Sequence, residues 1–185
     1  MLKHIPNLLT LLRISAIAPI CWLLWREQFT QALLLLLLAG LTDAFDGFLA
    51  RRFGWVSKLG ALLDPLADKL FIVSVVLLFG FKHYLPWWLV WLVLGRDVVI
   101  LGGAVAYRLV FGDLEINPSR WGKLNTALQI SLLALTLVHV AFYSFSPPIM
   151  QGLQWIVALS TLFSGASYVY LWAHDANQRH SNKHA

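Results

Sequence analysis

Charge is what this 185-residue sequence lacks most. Only 12% of its residues are charged, about half the share usual in a soluble domain. That scarcity excludes a disordered chain and argues against a water-soluble domain. Cysteine is almost missing: Cys21 stands alone, which excludes a disulfide framework and a cysteine zinc site. Acid is rarer than base, with nine Asp and Glu against 14 Lys and Arg and a net charge of +5. No internal repeat of useful period is visible. A cleavable signal peptide is not expected either: Arg13 interrupts the first apolar run, and no clear small-x-small site follows it.

Apolar residues fill the space, at 59% of the chain with a mean hydropathy of +0.70. A membrane helix needs about 20 mainly apolar residues. Six such runs occur, over 5–25, 29–51, 59–82, 86–109, 120–145 and 149–173. The expected fold is all-α, a polytopic membrane protein of six transmembrane helices. Residues 1–185 form one membrane domain, with a polar, frayed tail over about 174–185. Asn117-Pro118-Ser119 and Pro147-Pro148 mark breaks between spans.

Lysine and arginine set the orientation. With six spans the termini share a side, and nine cations lie there: Lys3, Arg51, Arg52, Lys58, Arg108, Arg120, Lys123, Arg179 and Lys183. Arg26 and Lys82 lie opposite, while Arg13, Lys69 and Arg96 fall within spans. Nine against two puts both termini in the cytoplasm. Trp87, Trp88 and Trp91 then mark the outer interface, and Trp55 and Trp121 the inner one.

Five of the nine acids lie inside spans: Asp43, Asp46, Asp64, Asp68 and Asp97. An ionisable side chain there is costly and usually marks function. Asp43 and Asp46 are spaced i, i+3 and Asp64 and Asp68 i, i+4, so each pair shares a helix face. A short loop joins the two helices, so they are expected to be antiparallel neighbours. At about 1.5 Å per residue, Asp46 lies roughly 8 Å and Asp43 roughly 12 Å below Arg51. All four carboxylates can therefore converge just inside the cytoplasmic leaflet.

Four adjacent carboxylates cannot all ionise unaided. Arg51 and Lys69 are too few to neutralise them. Hard oxygen donors without nearby His or Cys favour magnesium, manganese or calcium, and two such cations suit phosphoryl chemistry. Gly47, Ala50 and Gly60 leave room beside the carboxylates, and Arg51 at the helix end could pair with a diphosphate. A single acid near a helix end is more often an interfacial or ion-paired residue. Structural pairing does not explain four with so little base nearby.

The spacing Asp43-x2-Asp46-Gly47-x2-Ala50-Arg51-x8-Gly60-x3-Asp64-x3-Asp68 resembles the signature of the CDP-alcohol phosphatidyltransferases without mismatch. The resemblance implies a six-helix integral membrane enzyme, commonly a homodimer. It moves a phosphatidyl group from CDP-diacylglycerol to an alcohol and releases CMP. It further implies two divalent cations, Mg2+ or Mn2+, held by Asp43, Asp46, Asp64 and Asp68, with Asp68 also the base for the acceptor hydroxyl. Asp43, Asp46, Gly47, Ala50, Arg51 and Gly60 match the positions around the cytidine nucleotide. The expected location is a bacterial inner membrane, with the site on the cytoplasmic side and no nucleic-acid partner.

The stretch from Ile5 to Arg13 resembles the glycerol-acceptor branch, which includes phosphatidylglycerophosphate synthase and eukaryotic-type cardiolipin synthase. Asn7, Thr10 and Arg13 lie along one helix face as acceptor candidates. Equally, Asn7 or Thr10 caps a helix and Arg13 snorkels. Arg96 is a candidate for an acceptor phosphate, and Asp97 a partner that neutralises it. Lys123 and Asn125 enter the fifth span in Gly122-Lys123-Leu124-Asn125-Thr126, which looks like the cardiolipin type. The phosphatidylglycerophosphate type carries a second lysine in place of Asn125. Phosphatidylglycerol, with one phosphodiester charge, is therefore the preferred acceptor, and glycerol 3-phosphate is the alternative. A divalent-cation transporter is the competing class, disfavoured because its site is expected at the midplane between repeats. A structural scaffold leaves the carboxylate excess unexplained.

Overall fold

A computed structural model describes the backbone of residues 5–40, 58–111 and 120–183, and the side chains over 15–40, 69–109, 121–173 and at 175. Apart from short turns, every described residue is helical. The helices are α1 (Ile5–Trp25), α2 (described over Phe29–Gly40), α3 (Lys58–Phe81), α4 (Trp87–Phe111), α5 (Arg120–Ala141) and α6 (Pro147–Lys183). Three helical stretches are long and apolar enough to cross a membrane: Trp87–Leu109, Trp121–Ala141 and Pro147–Ala173. Only 22%, 33% and 28% of their most apolar windows is buried inside the protein. Trp91, Val98, Leu109, Leu159 and Tyr170 are among the large side chains left outside. Such an apolar exterior is that of an integral membrane protein, whose solvent is hydrocarbon.

Two helix ends differ from the sequence expectation. α5 stops at Ala141 rather than 145, because the Phe142 and Tyr143 amides both turn back to the Val138 carbonyl, at 2.9 and 3.0 Å. α6 does not end where polarity rises at His174, and the expected frayed tail continues as helix to Lys183. Its polar extension is tied down, since the Tyr107 hydroxyl of α4 donates to the Asp175 carboxylate. The start of α6 follows a simple rule. Proline suits the first helical position because no intrahelical partner exists there, and the Ser146 carbonyl accepts from Ile149 and Met150.

The described residues group into two compact units, Met1–Leu85 with Leu133–Ser144, and Pro86–Leu132 with Phe145–Ala185. In the first unit α1 packs against α3. Both helices end in the same motif. Gln28 N donates to Leu23 O and Glu27 N to Leu24 O; Tyr84 N donates to Phe79 O and His83 N to Gly80 O. Each pair forms a Schellman closure, whose pivot takes a left-handed backbone. Glycine normally fills that pivot, but here Glu27 (φ 61°) and His83 (φ 60°) do. Lys82 Nζ joins the two ends through Glu27 at 2.8 Å, and Phe29 and Phe79 both meet the Tyr84 ring edge-on. Ile20, Leu24, Val75 and Phe79 are buried.

In the second unit α4 and α6 run parallel. Contacts descend both helices together: Trp88 on Trp155, Arg96 to Ser164, the α4 backbone at Gly103 under Trp172, and Tyr107 to Asp175. The first half of α5 runs antiparallel to α6, with Trp121 against Phe163 and Asn125 bonded to Ser160.

Candidate functional site

The motif's eight fixed positions are two glycines, one alanine, one arginine and four aspartates. Asp43, Asp46, Gly47, Ala50 and Arg51 lie outside the described residues. Gly60, Asp64 and Asp68 lie on the described backbone of α3, and their side chains fall outside the description. Helical geometry puts Asp64 and Asp68 one turn apart on one face of α3. Asn7, Thr10 and Arg13 are within α1, where again only the backbone is described. Among the described residues, no group of three or more His, Cys, Asp or Glu could hold a metal.

The acceptor candidates of the second unit are fully visible. Arg96 and Asp97 sit in mid-α4, with side chains only 9% and 7% exposed. Arg96 Nη1 donates to Asp97 Oδ1 at 2.9 Å. Burying one charge alone in this setting is expensive, and pairing cancels most of the penalty. Arg96 Nη2 donates to Ser164 Oγ at 2.6 Å, and the guanidinium lies 5.9 Å from the Tyr168 ring centre. Arg96 is thus neither a snorkelling surface residue nor an isolated cation.

Asn125 is wholly buried on α5. Its Oδ1 accepts from Ser160 Oγ at 2.8 Å and from Thr161 Oγ1 at 2.9 Å. Thr161 in turn receives a long bond, 3.5 Å, from Gln129 Nε2. Lys123, two residues before Asn125, is exposed. Thr126 turns its hydroxyl back on the Gly122 carbonyl at 3.1 Å. The structure therefore brings Arg96 and Asn125 onto α6 through separate hydroxyls.

Sequence reasoning missed Ser160, Thr161 and Ser164. A small signal was present, since Ser160-Thr161 and Ser164 fall on one side of an otherwise apolar helix at i, i+1 and i+4. Such residues usually bond their own preceding turn, as Ser74, Ser131 and Ser167 do here. Among the described residues, two buried nitrogens find no hydrogen-bond partner: Arg96 Nε and Asn125 Nδ2.

Comparison with known proteins bears on the same stretch of chain. A "Probable cardiolipin synthase (CMP-forming)" of Drosophila melanogaster is 33% identical over 181 residues, covering 89% of this chain and 56% of that protein. A "Cardiolipin synthase (CMP-forming)" of Streptomyces coelicolor is 32% identical, covering 90% of this chain and 78% of that protein. A "CDP-diacylglycerol--glycerol-3-phosphate 3-phosphatidyltransferase" of Aquifex aeolicus is 31% identical, covering 89% of this chain and 93% of that protein. The chain thus spans little more than half of the insect relative and nearly all of the Aquifex one. The model of the CDP-alcohol phosphatidyltransferases matches residues 3–166, which include the whole aspartate motif. With that match over most of its length, the chain belongs to the CDP-alcohol phosphatidyltransferase family.

Proposed function

We propose that this chain is a membrane phosphatidyltransferase of phospholipid synthesis, which transfers the phosphatidyl group of CDP-diacylglycerol to a glycerol-type alcohol and releases CMP. The observation that carries the reading is the unbroken motif from Asp43 to Asp68 inside the family match. Six spans, both termini in the cytoplasm, and one membrane domain over residues 1–185 complete the reading. A bacterial inner membrane and a homodimer belong to it as well.

Asp43, Asp46, Asp64 and Asp68 are the residues that would hold divalent cations. The fit rests on the donor set, which is all carboxylate oxygen, with Asp64 and Asp68 on one face of α3. Magnesium or manganese bound there would neutralise the diphosphate and the departing CMP. Asp43, Asp46, Gly47, Ala50 and Gly60 line the nucleotide, the small residues giving it close approach, and Arg51 binds a diphosphate oxygen. Asp68 accepts the proton of the acceptor hydroxyl. The acceptor oxygen forms its bond to the phosphatidyl phosphorus as the phosphoanhydride bond to CMP breaks.

Acceptor binding is assigned to Arg96, Lys123 and Asn125, with Asn7, Thr10 and Arg13 on α1. Phosphatidylglycerol is the preferred acceptor. Its support is electrostatic: the buried Arg96 charge is already cancelled by Asp97. With Arg96 so neutralised, Lys123 and Arg13 are the cations left for the acceptor, which suits a singly charged diester better than the dianion of glycerol 3-phosphate. Glycerol 3-phosphate remains the second reading, because relatives of both names match this chain.

The test uses purified full-length protein, labelled CDP-diacylglycerol and each acceptor in turn. Cardiolipin with CMP is the expected product. Phosphatidylglycerophosphate alone would transfer the assignment to the second reading, and cation flux in liposomes without any CMP release would overturn the enzyme altogether. Asp68→Asn should fold normally and lose CMP release, and retained turnover removes its role as base.

A further inference from the structure

We propose that Ser160, Thr161 and Ser164 of α6 are positioning residues that aim two buried N–H donors, Asn125 Nδ2 and Arg96 Nε, at oxygens of the acceptor's glycerol headgroup. The proposal rests on the glycerol-acceptor reading above and adds to it three residues outside the aspartate motif and outside the acceptor candidates. The starting observation is that both nitrogens are unpartnered among the described residues, although Asn125 is 0% exposed and the Arg96 side chain 9%. Buried donors without partners are rare, because each has given up water for nothing. Both belong to side chains held by hydroxyls within one turn of α6.

The hydroxyls fix where the donors point. Gln129 Nε2 donates to Thr161 Oγ1, so the Thr161 proton is directed elsewhere, to Asn125 Oδ1 at 2.9 Å. Ser160 donates to the same oxygen at 2.8 Å. The one Ser160 proton is shared with the Val157 carbonyl at 2.9 Å, so Thr161 is the donor that fixes the amide, whose nitrogen finds no partner among the described residues. Arg96 is held by the same logic. Nη1 is engaged by Asp97 and Nη2 by Ser164, which leaves Nε as the one guanidinium nitrogen without a partner. Thr161 and Ser164 are three residues apart, about 4.5 Å along the helix axis. One turn of α6 therefore anchors a donor from α5 and a donor from α4.

The ligand class follows from charge. Arg96 and Asp97 cancel, and Asn125 is neutral. Two N–H groups in a net-neutral setting recognise hydroxyl, ester or diester oxygens, which a glycerol phosphodiester headgroup offers.

The experiment compares full-length wild type with Thr161→Val, Thr161→Ser, Ser164→Ala and Ser160→Ala, measuring KM separately for phosphatidylglycerol and CDP-diacylglycerol, with kcat and the thermal midpoint. The expected result is an acceptor KM raised about tenfold in Thr161→Val and Ser164→Ala, the loss of roughly one aligned hydrogen bond. The KM for CDP-diacylglycerol stays unchanged, and Thr161→Ser, which keeps the hydroxyl, restores the wild-type value. If Thr161→Val fails to fold, Ser164→Ala decides by the same split through the Arg96 donor. Equal rises in both KM values, a fall in kcat alone, or no change in a folded variant would each overturn the proposal. Wild type that releases CMP with no glycerol-type acceptor would instead overturn the underlying reading, and the positioning role with it. A split seen with glycerol 3-phosphate but not with phosphatidylglycerol refutes the headgroup class.

Discussion

One methyl group added at Gly103 should separate α4 from α6. A Cβ there would lie 2.0 Å from Trp172 Cζ3, 2.7 Å from Cη2 and 2.8 Å from Cε3. Carbon atoms pack best at about 3.5–4.0 Å, so the ring must retreat by roughly 1.5 Å. Tyr168, one turn earlier on α6, packs against that ring with centres 5.9 Å apart and restricts its rearrangement. Overpacking of this kind costs about 1–3 kcal/mol. Alanine returns about 0.5–1 kcal/mol of helix propensity over glycine, so the clash wins and the net loss is about 1–2 kcal/mol. At about 2–4 °C per kcal/mol for a chain of this size, the midpoint should fall by roughly 2–8 °C. Gly102→Ala is the internal control, since a Cβ there meets nothing within 4 Å. It should be neutral or slightly stabilising. The assay is thermal unfolding in one detergent at one scan rate. In a Trp172→Ala background the penalty at Gly103 should vanish, the coupling that a double-mutant cycle isolates. A Gly103→Ala protein as stable as Gly102→Ala, or a penalty that survives without Trp172, refutes the packing argument.

The Arg96–Asp97 pair and the loop after α3 give two further expectations. Asp97→Asn leaves the Arg96 charge buried without a counter-charge and should destabilise by about 3–5 kcal/mol. The double variant Arg96→Met with Asp97→Asn should recover most of that loss in thermal midpoint, and a double variant no better than the single would refute the charge argument. At Tyr84, burial first and the Glu27 carboxylate second hold the phenol above its ordinary value, while Lys82 pulls it down. The folded chain then keeps this proton above about pH 10, where the unfolded chain has released it. The contribution is fully present below that pH and lost as pH rises through the folded value. Tyr84→Phe should flatten the alkaline fall in midpoint, and parallel curves for the two proteins would exclude Tyr84 as its source.

The helices were legible because hydropathy adds along the chain. The described helices α1, α3 and α4 begin within a residue or so of the apolar runs that announce them. Helix ends were less legible. Neither pivot at the ends of α1 and α3 is a glycine, and Glu27 and His83 take the left-handed backbone without a signal in their residue type. The polar residues after His174 looked like a frayed tail, yet Asp175 meets a tyrosine 68 residues earlier. Within the candidate site, Arg96 could be suspected as a charge within an apolar run, and Asn125 from the family resemblance. Ser160, Thr161 and Ser164 left only a faint signal, because hydroxyls on an apolar helix ordinarily bond their own backbone.

The sequence by itself determined the solvent and the family. Scarce charge and long apolar runs require lipid, and four aspartates at helical spacing, beside small residues and one arginine, carry the family motif. Only the tertiary structure decided which polar groups meet. Arg96 reaches Ser164 across 68 positions, and Asn125 reaches Thr161 across 36. The reason is physical: hydropathy is a local sum, whereas a hydrogen-bond partner depends on how distant helices pack and rotate. That packing also left Arg96 Nε and Asn125 Nδ2 without a partner among the described residues.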